Sequence, residues 1–77
     1  MDKRSLSIAG HRTSIALEPQ FWDALEAMAT ERNTSMAGLI KSIDETRATT
    51  NLSSSARLAV LAWYQQKLNL AEQSSAD

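Results

Sequence analysis

Apolar and polar residues alternate in two short segments near the start of the chain, residues 5–9 and residues 12–18. A period of two places successive side chains on opposite faces of a β-strand, so both segments are predicted strands with one buried face. No segment of this kind follows downstream, where the periodicity becomes helical. Because a strand needs a partner for its backbone N–H and C=O groups, we expect residues 12–18 to pair with the same segment of a second copy.

The two predicted strands are separated by Gly10 and His11, a pair that suits a two-residue type II′ turn. A hairpin built on this turn places Ile8 opposite Thr13 and gathers the apolar side chains on one face. That face consists of Leu6, Ile8, Ile15 and Leu17. In the alternative arrangement, the first segment is an extended arm and only the second enters a sheet. Pairing of the second segment across a dimer is expected in both arrangements.

Apolar residues at helical spacing predict three helices after the strands. The predicted helices span residues 19–32, 35–46 and 54–68. Pro19 suits the first position of a helix, where its missing N–H costs nothing. Thr34 and Ser35 offer hydroxyl caps for the second helix, and Ser53 is the predicted cap of the third. The sequence therefore predicts a mostly α protein with a short N-terminal β-ribbon.

The chain is short and contains no cysteine, which limits how it can be stabilised. A monomer of 77 residues buries only about 60% of its unfolded surface, and no disulfide can compensate. We therefore expect the apolar residues of the second strand and the first two helices to form the core of a homodimer. The expected dimer core is Ile15, Leu17, Phe21, Trp22, Leu25, Leu39, Ile40 and Ile43. Residues 1–70 are predicted to form a single domain and residues 71–77 a flexible tail.

The third predicted helix is apolar on two flanks, with Leu58 and Leu61 on one, and Trp63 and Tyr64 on the other. An apolar surface of this width implies contact on more than one side. We expect this helix to pack both against the helices of its own chain and against the partner subunit.

The sequence offers little material for catalysis, metal binding or membrane insertion. His11 is the only histidine, and the neighbouring Asp44 and Glu45 point about 100° apart on a helix, so neither an acid–base pair nor a metal site is expected. No apolar run approaches the roughly 20 residues of a membrane span, and no apolar signal core follows the basic N-terminal pair. We expect a cytoplasmic protein that is not an enzyme and needs no cofactor.

Charge is distributed unevenly along the chain. The net charge is −1, yet Lys3, Arg4 and Arg12 against Asp2 give the first 17 residues a charge of +2. The strand end of the protein is therefore its positive end. On charge alone, two interpretations stay open, an attraction for an anionic partner and an ordinary scatter of charge.

The polar face of the second predicted strand carries Arg12, Ser14 and Ala16. Two antiparallel strands are narrow enough for the major groove of DNA, and alternate side chains project together toward the base edges. Arg12 can donate two hydrogen bonds to guanine, Ser14 can donate or accept, and the Ala16 methyl can touch a thymine methyl. The alternative interpretation is an ordinary solvated strand face.

The start of the second predicted helix is a candidate phosphate site. The free N–H groups of Met36 and Ala37, preceded by the hydroxyls of Thr34 and Ser35, can hold an anion at the positive end of the helix dipole. For His11 two interpretations stay open, an exposed turn residue and a phosphate contact.

The order of strand, helix, short capped turn and helix over about residues 12–46 resembles the ribbon-helix-helix family of Arc-, MetJ- and CopG-type repressors. Several stretches are more narrowly similar to small bacterial members of that family that carry an extra C-terminal helix. These stretches are residues 3–5, 10–14, 17–18, 21–22 and 51–54, and the similarity extends to about Tyr64.

The resemblance implies a homodimer with an intermolecular antiparallel sheet, and a sequence-specific DNA-binding regulator of the repressor or antitoxin-like type. Its base-reading positions fall on Arg12, Ser14 and Ala16, and its phosphate-binding helix start falls on Ser35 and Met36. Because the sequence departs from the family pattern, as described next, we expect either low affinity or recognition assisted by phosphate contacts from an arm of Lys3 and Arg4.

The sequence departs from the family pattern in two respects. Ala16 stands where a polar reading residue is usual, and the isoelectric point of about 5.7 is acidic where many repressors are basic. Both features favour a second hypothesis, a dimeric module with weak or no affinity for DNA. Such a module would hold a partner protein, such as a toxin, through the third helix or the connection of residues 47–55.

Overall fold

The computed structural model describes residues 1–8, 10–46 and 51–75, with side chains through residue 71. Five elements follow one another along the chain. They are β1 (Asp2–Ile8), β2 (His11–Leu17), α1 (Pro19–Glu31), α2 (Met36–Thr46) and α3 (Leu52–Ser75). The predicted fold class, mostly α with a short N-terminal β-ribbon and an additional C-terminal helix, is confirmed. The bounds of α1 and α2 lie within one residue of those predicted.

The two strands pair with each other in antiparallel orientation, so the N-terminal segment is a strand of a hairpin rather than an arm. The predicted register is wrong by two residues, because Ile8 lies opposite His11 instead of Thr13. The strands are joined by residues 9 and 10, and Gly10 has a φ of +82°, a conformation that glycine adopts at little cost. A shift of two residues leaves every side chain on its predicted face. Ala9, at the end of the predicted first strand, lies outside the described residues.

The apolar face of the hairpin is covered by the helices of its own chain. Ile15 is 2% exposed and Leu17 fully buried, and the Trp22 indole N–H donates to the Asp2 carbonyl oxygen at 2.8 Å. Seven of the eight residues expected in a dimer core are buried within one chain, and Phe21 is partly exposed. The expectation that this burial requires a second copy is therefore wrong for the strand and for the first two helices.

The helix α3 begins earlier than predicted because Asn51 is its cap. The Ser54 N–H donates to the side-chain oxygen of Asn51 at 3.3 Å, and the Ser55 N–H donates to the Asn51 carbonyl oxygen at 3.0 Å. An asparagine oxygen satisfies the first free N–H groups of a helix as well as a hydroxyl does. The predicted cap at Ser53 is accordingly wrong, since Ser53 already lies inside the helix.

The helix α3 also continues to Ser75, well past its predicted end at Leu68. Its 24 residues extend for roughly 36 Å at the rise of an α-helix. Residues 71–75 of the predicted tail are thus helical, whereas residues 47–50 of the connection before α3 and residues 76–77 lie outside the described chain. The C-terminal half of α3 therefore extends beyond the core that its first half helps to form.

A polar cluster attaches the middle of α3 to the end of α1. The Glu31 carboxylate accepts hydrogen bonds from the Trp63 indole N–H at 3.1 Å and from the Lys67 ammonium at 3.0 Å. The Lys67 nitrogen lies 4.8 Å from the centre of the Trp63 ring, where it makes a cation–π contact. The hydrogen bond from Lys67 is the main cause that lowers the pKa of Glu31 below its ordinary value of 4.5.

This cluster predicts a small, acid-sensitive contribution to stability. Because the pKa of Glu31 is lower in the folded chain than in the unfolded chain, the contribution is complete above about pH 4.5 and is lost as the pH falls through the folded value. We expect Glu31→Gln to lower the free energy of unfolding slightly at pH 7 and by a smaller amount at about pH 3, where protonation removes part of the wild-type contribution. Urea unfolding at both pH values measures this, with Glu45→Gln as an exposed control. A deficit that is equal at both pH values would contradict it.

Candidate nucleic-acid interface

The hairpin has an open face that points away from the helices. It consists of Lys3, Ser5 and Ser7 from β1 and Arg12, Ser14 and Ala16 from β2. All of these side chains are exposed except that of Ala16, which is half-buried. The hydroxyls of Ser5 and Ser14 lie 3.2 Å apart and form a hydrogen bond across the two strands. Within the described chain, this face carries two positive side chains and no carboxylate, so it favours an anionic surface.

The structure brings the three predicted base-reading residues together on this face. Arg12 lies opposite Ser7, and Ser14 lies opposite Ser5, so serines border the predicted positions on the β1 side. Ser5 and Ser7 were not predicted as site residues, although their alternation with apolar neighbours already placed them on the polar side. The arrangement offers several hydroxyl donors and acceptors beside one guanidinium, a set that can recognise base edges.

Of the two basic residues expected to contact phosphate from β1, only Lys3 lies on the open face. Arg4 points to the helices, where its guanidinium donates to the Glu26 carboxylate at 2.9 Å and lies 4.6 Å from the centre of the Trp22 ring. Arg4 therefore stabilises the hairpin on α1 and is not placed for a phosphate contact on the open face. His11 is exposed at the turn end of β2, opposite Ile8.

The beginning of α2 has the predicted cap. The Ser35 hydroxyl accepts a hydrogen bond from the Gly38 N–H at 3.0 Å, and no described residue accepts from the N–H groups of Met36 and Ala37. A side chain at Gly38 would collide with the preceding turn, because its Cβ would lie 2.5 Å from the Thr34 hydroxyl oxygen. Glycine at this position thus allows the hydroxyls of Thr34 and Ser35 to lie over the first turn, beside the two free N–H groups.

The outer edge of β2 is open: no strand in the described parts of the chain pairs with it. Ile8 and His11 flank a two-residue connection, so their backbones form a hydrogen-bonded pair. Hydrogen-bonded and non-hydrogen-bonded pairs alternate along an antiparallel ladder. Ser5 and Ser14, three pairs further along, are therefore a non-hydrogen-bonded pair. The backbone N–H and C=O groups of Ser14 therefore point outward, to the free edge where a further strand can add.

The described residues also bear on two other kinds of site, a metal centre and a membrane-spanning helix. No group of three or more histidine, aspartate or glutamate side chains that could hold a metal ion occurs in residues 1–8, 10–46 and 51–75. No helix in these ranges is both long enough and apolar enough to cross a membrane.

Fold and site together define a class: a mostly helical protein whose N-terminal β-ribbon presents an open polar face, followed by two helices joined at a capped turn. The family model of the ribbon-helix-helix domain matches residues 1–64, which include both strands, α1, α2 and the first half of α3. The chain belongs to the ribbon-helix-helix domain family. Members of this family are generally DNA-binding transcription regulators that dimerise, and generally not enzymes. No curated protein and no solved structure matches the chain.

Proposed function

We propose that this protein is a homodimeric, sequence-specific DNA-binding regulator of the repressor or antitoxin-like type, acting in the bacterial cytoplasm. Two copies pair through the open edges of β2, and the central strands enter the major groove. The observation that supports this proposal best is the open face of the hairpin, where Arg12, Ser14 and Lys3 are exposed together and no described residue adds a carboxylate. Arg12 and Ser14 then contact base edges, and Ala16 offers a methyl group to thymine.

The hairpin suggests a division of roles between its strands. Neighbouring strands lie about 4.8 Å apart, so the two outer β1 strands of a four-stranded dimer sheet are about 14 Å apart, slightly more than the roughly 12 Å width of the major groove. The β1 strands therefore lie over the rims of the groove, where the phosphates are. Lys3 is placed there for a phosphate contact, and the free N–H groups of Met36 and Ala37 can hold a further phosphate.

Selection of bound duplexes from a random DNA pool tests the proposal. We expect an enriched palindrome, because a two-fold symmetric dimer reads two identical half-sites. The double variant Arg12→Ala, Ser14→Ala serves as the control and should enrich no sequence. Absence of enrichment by the wild type at low salt would contradict sequence-specific binding.

The expected phosphate contacts make a quantitative prediction for Lys3. The logarithm of affinity should fall by about 0.9 per logarithm of salt concentration for each neutralised phosphate. Because a dimer carries two copies of Lys3, we expect Lys3→Ala to reduce this slope by about 2, with similar effect on all sequences. Binding titrations between about 50 and 200 mM salt measure the slope, because phosphate contacts change the affinity strongly over this range of salt concentration. Lys67→Ala, which removes a cation of α3 far from the hairpin in sequence, should leave the slope unchanged.

A second candidate function is a dimeric module that binds a partner protein. Ala16 on the open face and the exposed leucines of α3 favour it. A mobility-shift titration of random duplex at low salt separates the two functions, since micromolar protein without any shift would favour the module.

A further inference from the structure

An exposed apolar face runs along α3. Leu58, Leu61, Tyr64 and Leu68 are 57%, 52%, 54% and 59% exposed, and their spacing places them on one side of the helix. Together with Phe21 of α1, the first three border a groove of about 370 Å³ between α1 and α3. Tyr64 thus lies with the leucines, and its predicted place on the opposite flank with Trp63 is wrong. We propose that this α3 face receives the α3 helix of a second copy of the chain. The proposal rests on the dimer of the proposed function and identifies its helical contact.

The area that a stable dimer must bury favours a second copy of the chain as the occupant of the α3 face. A stable interface buries about 800 Å² on each partner around an apolar centre. The edge of one seven-residue strand cannot supply this, and Ile15 and Leu17 are already buried within their own chain. The large apolar side chains that stay exposed in the described residues are Met1, Leu58, Leu61, Tyr64, Leu68 and Leu70. Four of these six lie on the α3 face.

The groove is continuous with the open edge of β2. Glu18 follows the last residue of β2, and its carboxylate accepts hydrogen bonds from the Arg57 guanidinium at 3.0 and 3.3 Å. Arg57 lines the groove, and its guanidinium carbon lies 5.8 Å from the centre of the Phe21 ring. Since β2 packs on α3 while β1 packs on α2, the free edge and the groove lie on the same side of the molecule. A copy that pairs with β2 therefore brings its own α3 toward the groove.

The α3 face is also compatible with a copy of itself. Leu58, Leu61, Gln65 and Leu68 follow the alternating three- and four-residue spacing of paired helices. The cation that borders the face, Arg57, is neutralised by Glu18, so two copies bring no uncompensated like charges together there.

Leucine variants on two sides of α3 test the inference. Leu61 lies on the face, whereas Leu70, which is 56% exposed, lies roughly 180° around the same helix from it. We expect Leu61→Glu to weaken the dimer by about 30-fold or more, the effect of losing a central interface contact, and Leu70→Glu to leave it unchanged. Sedimentation equilibrium of the full chain measures the dissociation constant. Circular dichroism tests whether each variant is folded, and Leu61→Ser provides a variant without added charge should Leu61→Glu fail to fold.

The possible outcomes separate this inference from the proposed function. A wild-type dimer that Leu61→Glu and Leu61→Ser leave intact would overturn the α3 contact while leaving β2 pairing and DNA binding in place. A wild type that stays monomeric at every concentration would overturn both the α3 contact and the dimeric part of the proposed function. If Leu61→Glu and Leu70→Glu weaken the dimer equally, the inference is also contradicted. The weakening would then come from added charge anywhere on α3 and not from loss of contacts on the α3 face.

Discussion

Ser14→Pro should be monomeric at protein concentrations at which the proposed wild-type dimer persists, whereas Ser5→Pro should stay dimeric there. The two serines face each other across the hairpin, their hydroxyls are 3.2 Å apart, and either substitution removes that hydrogen bond. Proline removes a backbone N–H, and in this non-hydrogen-bonded pair neither N–H contributes to the β1–β2 ladder. The N–H of Ser14 points to the open edge of β2, where the partner's strand would accept it, and the N–H of Ser5 points to the outer edge of β1.

Sedimentation equilibrium at several protein concentrations measures whether each variant is a monomer or a dimer. Circular dichroism checks that both variants are folded. Edge strands tolerate proline, so each variant should keep its hairpin. A monomeric Ser5→Pro beside a dimeric Ser14→Pro would show that the copies join through β1. If both variants stay dimeric, the strands do not join the copies, and the α3 face alone would have to do so.

The sequence predicted the faces of the hairpin but not its register, for a physical reason. Faces depend only on whether a position is odd or even, and alternation reveals this directly. Register depends on which two residues form the connection, and a single glycine suits more than one turn type. Gly10 occupies the second position of the connection instead of the first, which moves the pairing by two residues. The same parity rule, applied to Arg4, would have placed it beside Leu6 on the helix side and not on the open face.

The predicted dimer core shows a different limit of sequence reasoning. Periodicity identifies residues that must be buried, but it does not say which copy of the chain covers them. Ile15 and Leu17 are covered by their own helices, to which α3 contributes Ala56 and Val60. The need to bury these strand residues consequently no longer supports a dimer. The open edge of β2 and the exposed face of α3 now support it, and the sequence indicated both, through the expected pairing of residues 12–18 across a dimer and the width of the apolar surface of the third helix.

Arg12→Ala should abolish most of the preference for the selected DNA sequence while the protein stays folded. The side chain is exposed on the open face opposite Ser7, so its removal leaves the core unchanged. A bidentate contact from arginine to guanine contributes about 1–3 kcal/mol of discrimination, so the ratio of specific to non-specific affinity should fall roughly 5- to 150-fold. Equilibrium titrations of the selected duplex and a scrambled duplex at one salt concentration measure this ratio.

Arg12→Lys makes this test specific for base reading, because lysine keeps the positive charge and loses the planar pair of donors. We expect Arg12→Lys to bind the scrambled duplex as the wild type does, with the same salt dependence, and to lose discrimination nearly as much as Arg12→Ala. If Arg12→Ala weakens both duplexes equally and Arg12→Lys restores both, Arg12 contacts phosphate and not a base. Sequence recognition would then have to come from Ser14 and the serines of β1, the remaining polar groups of the open face.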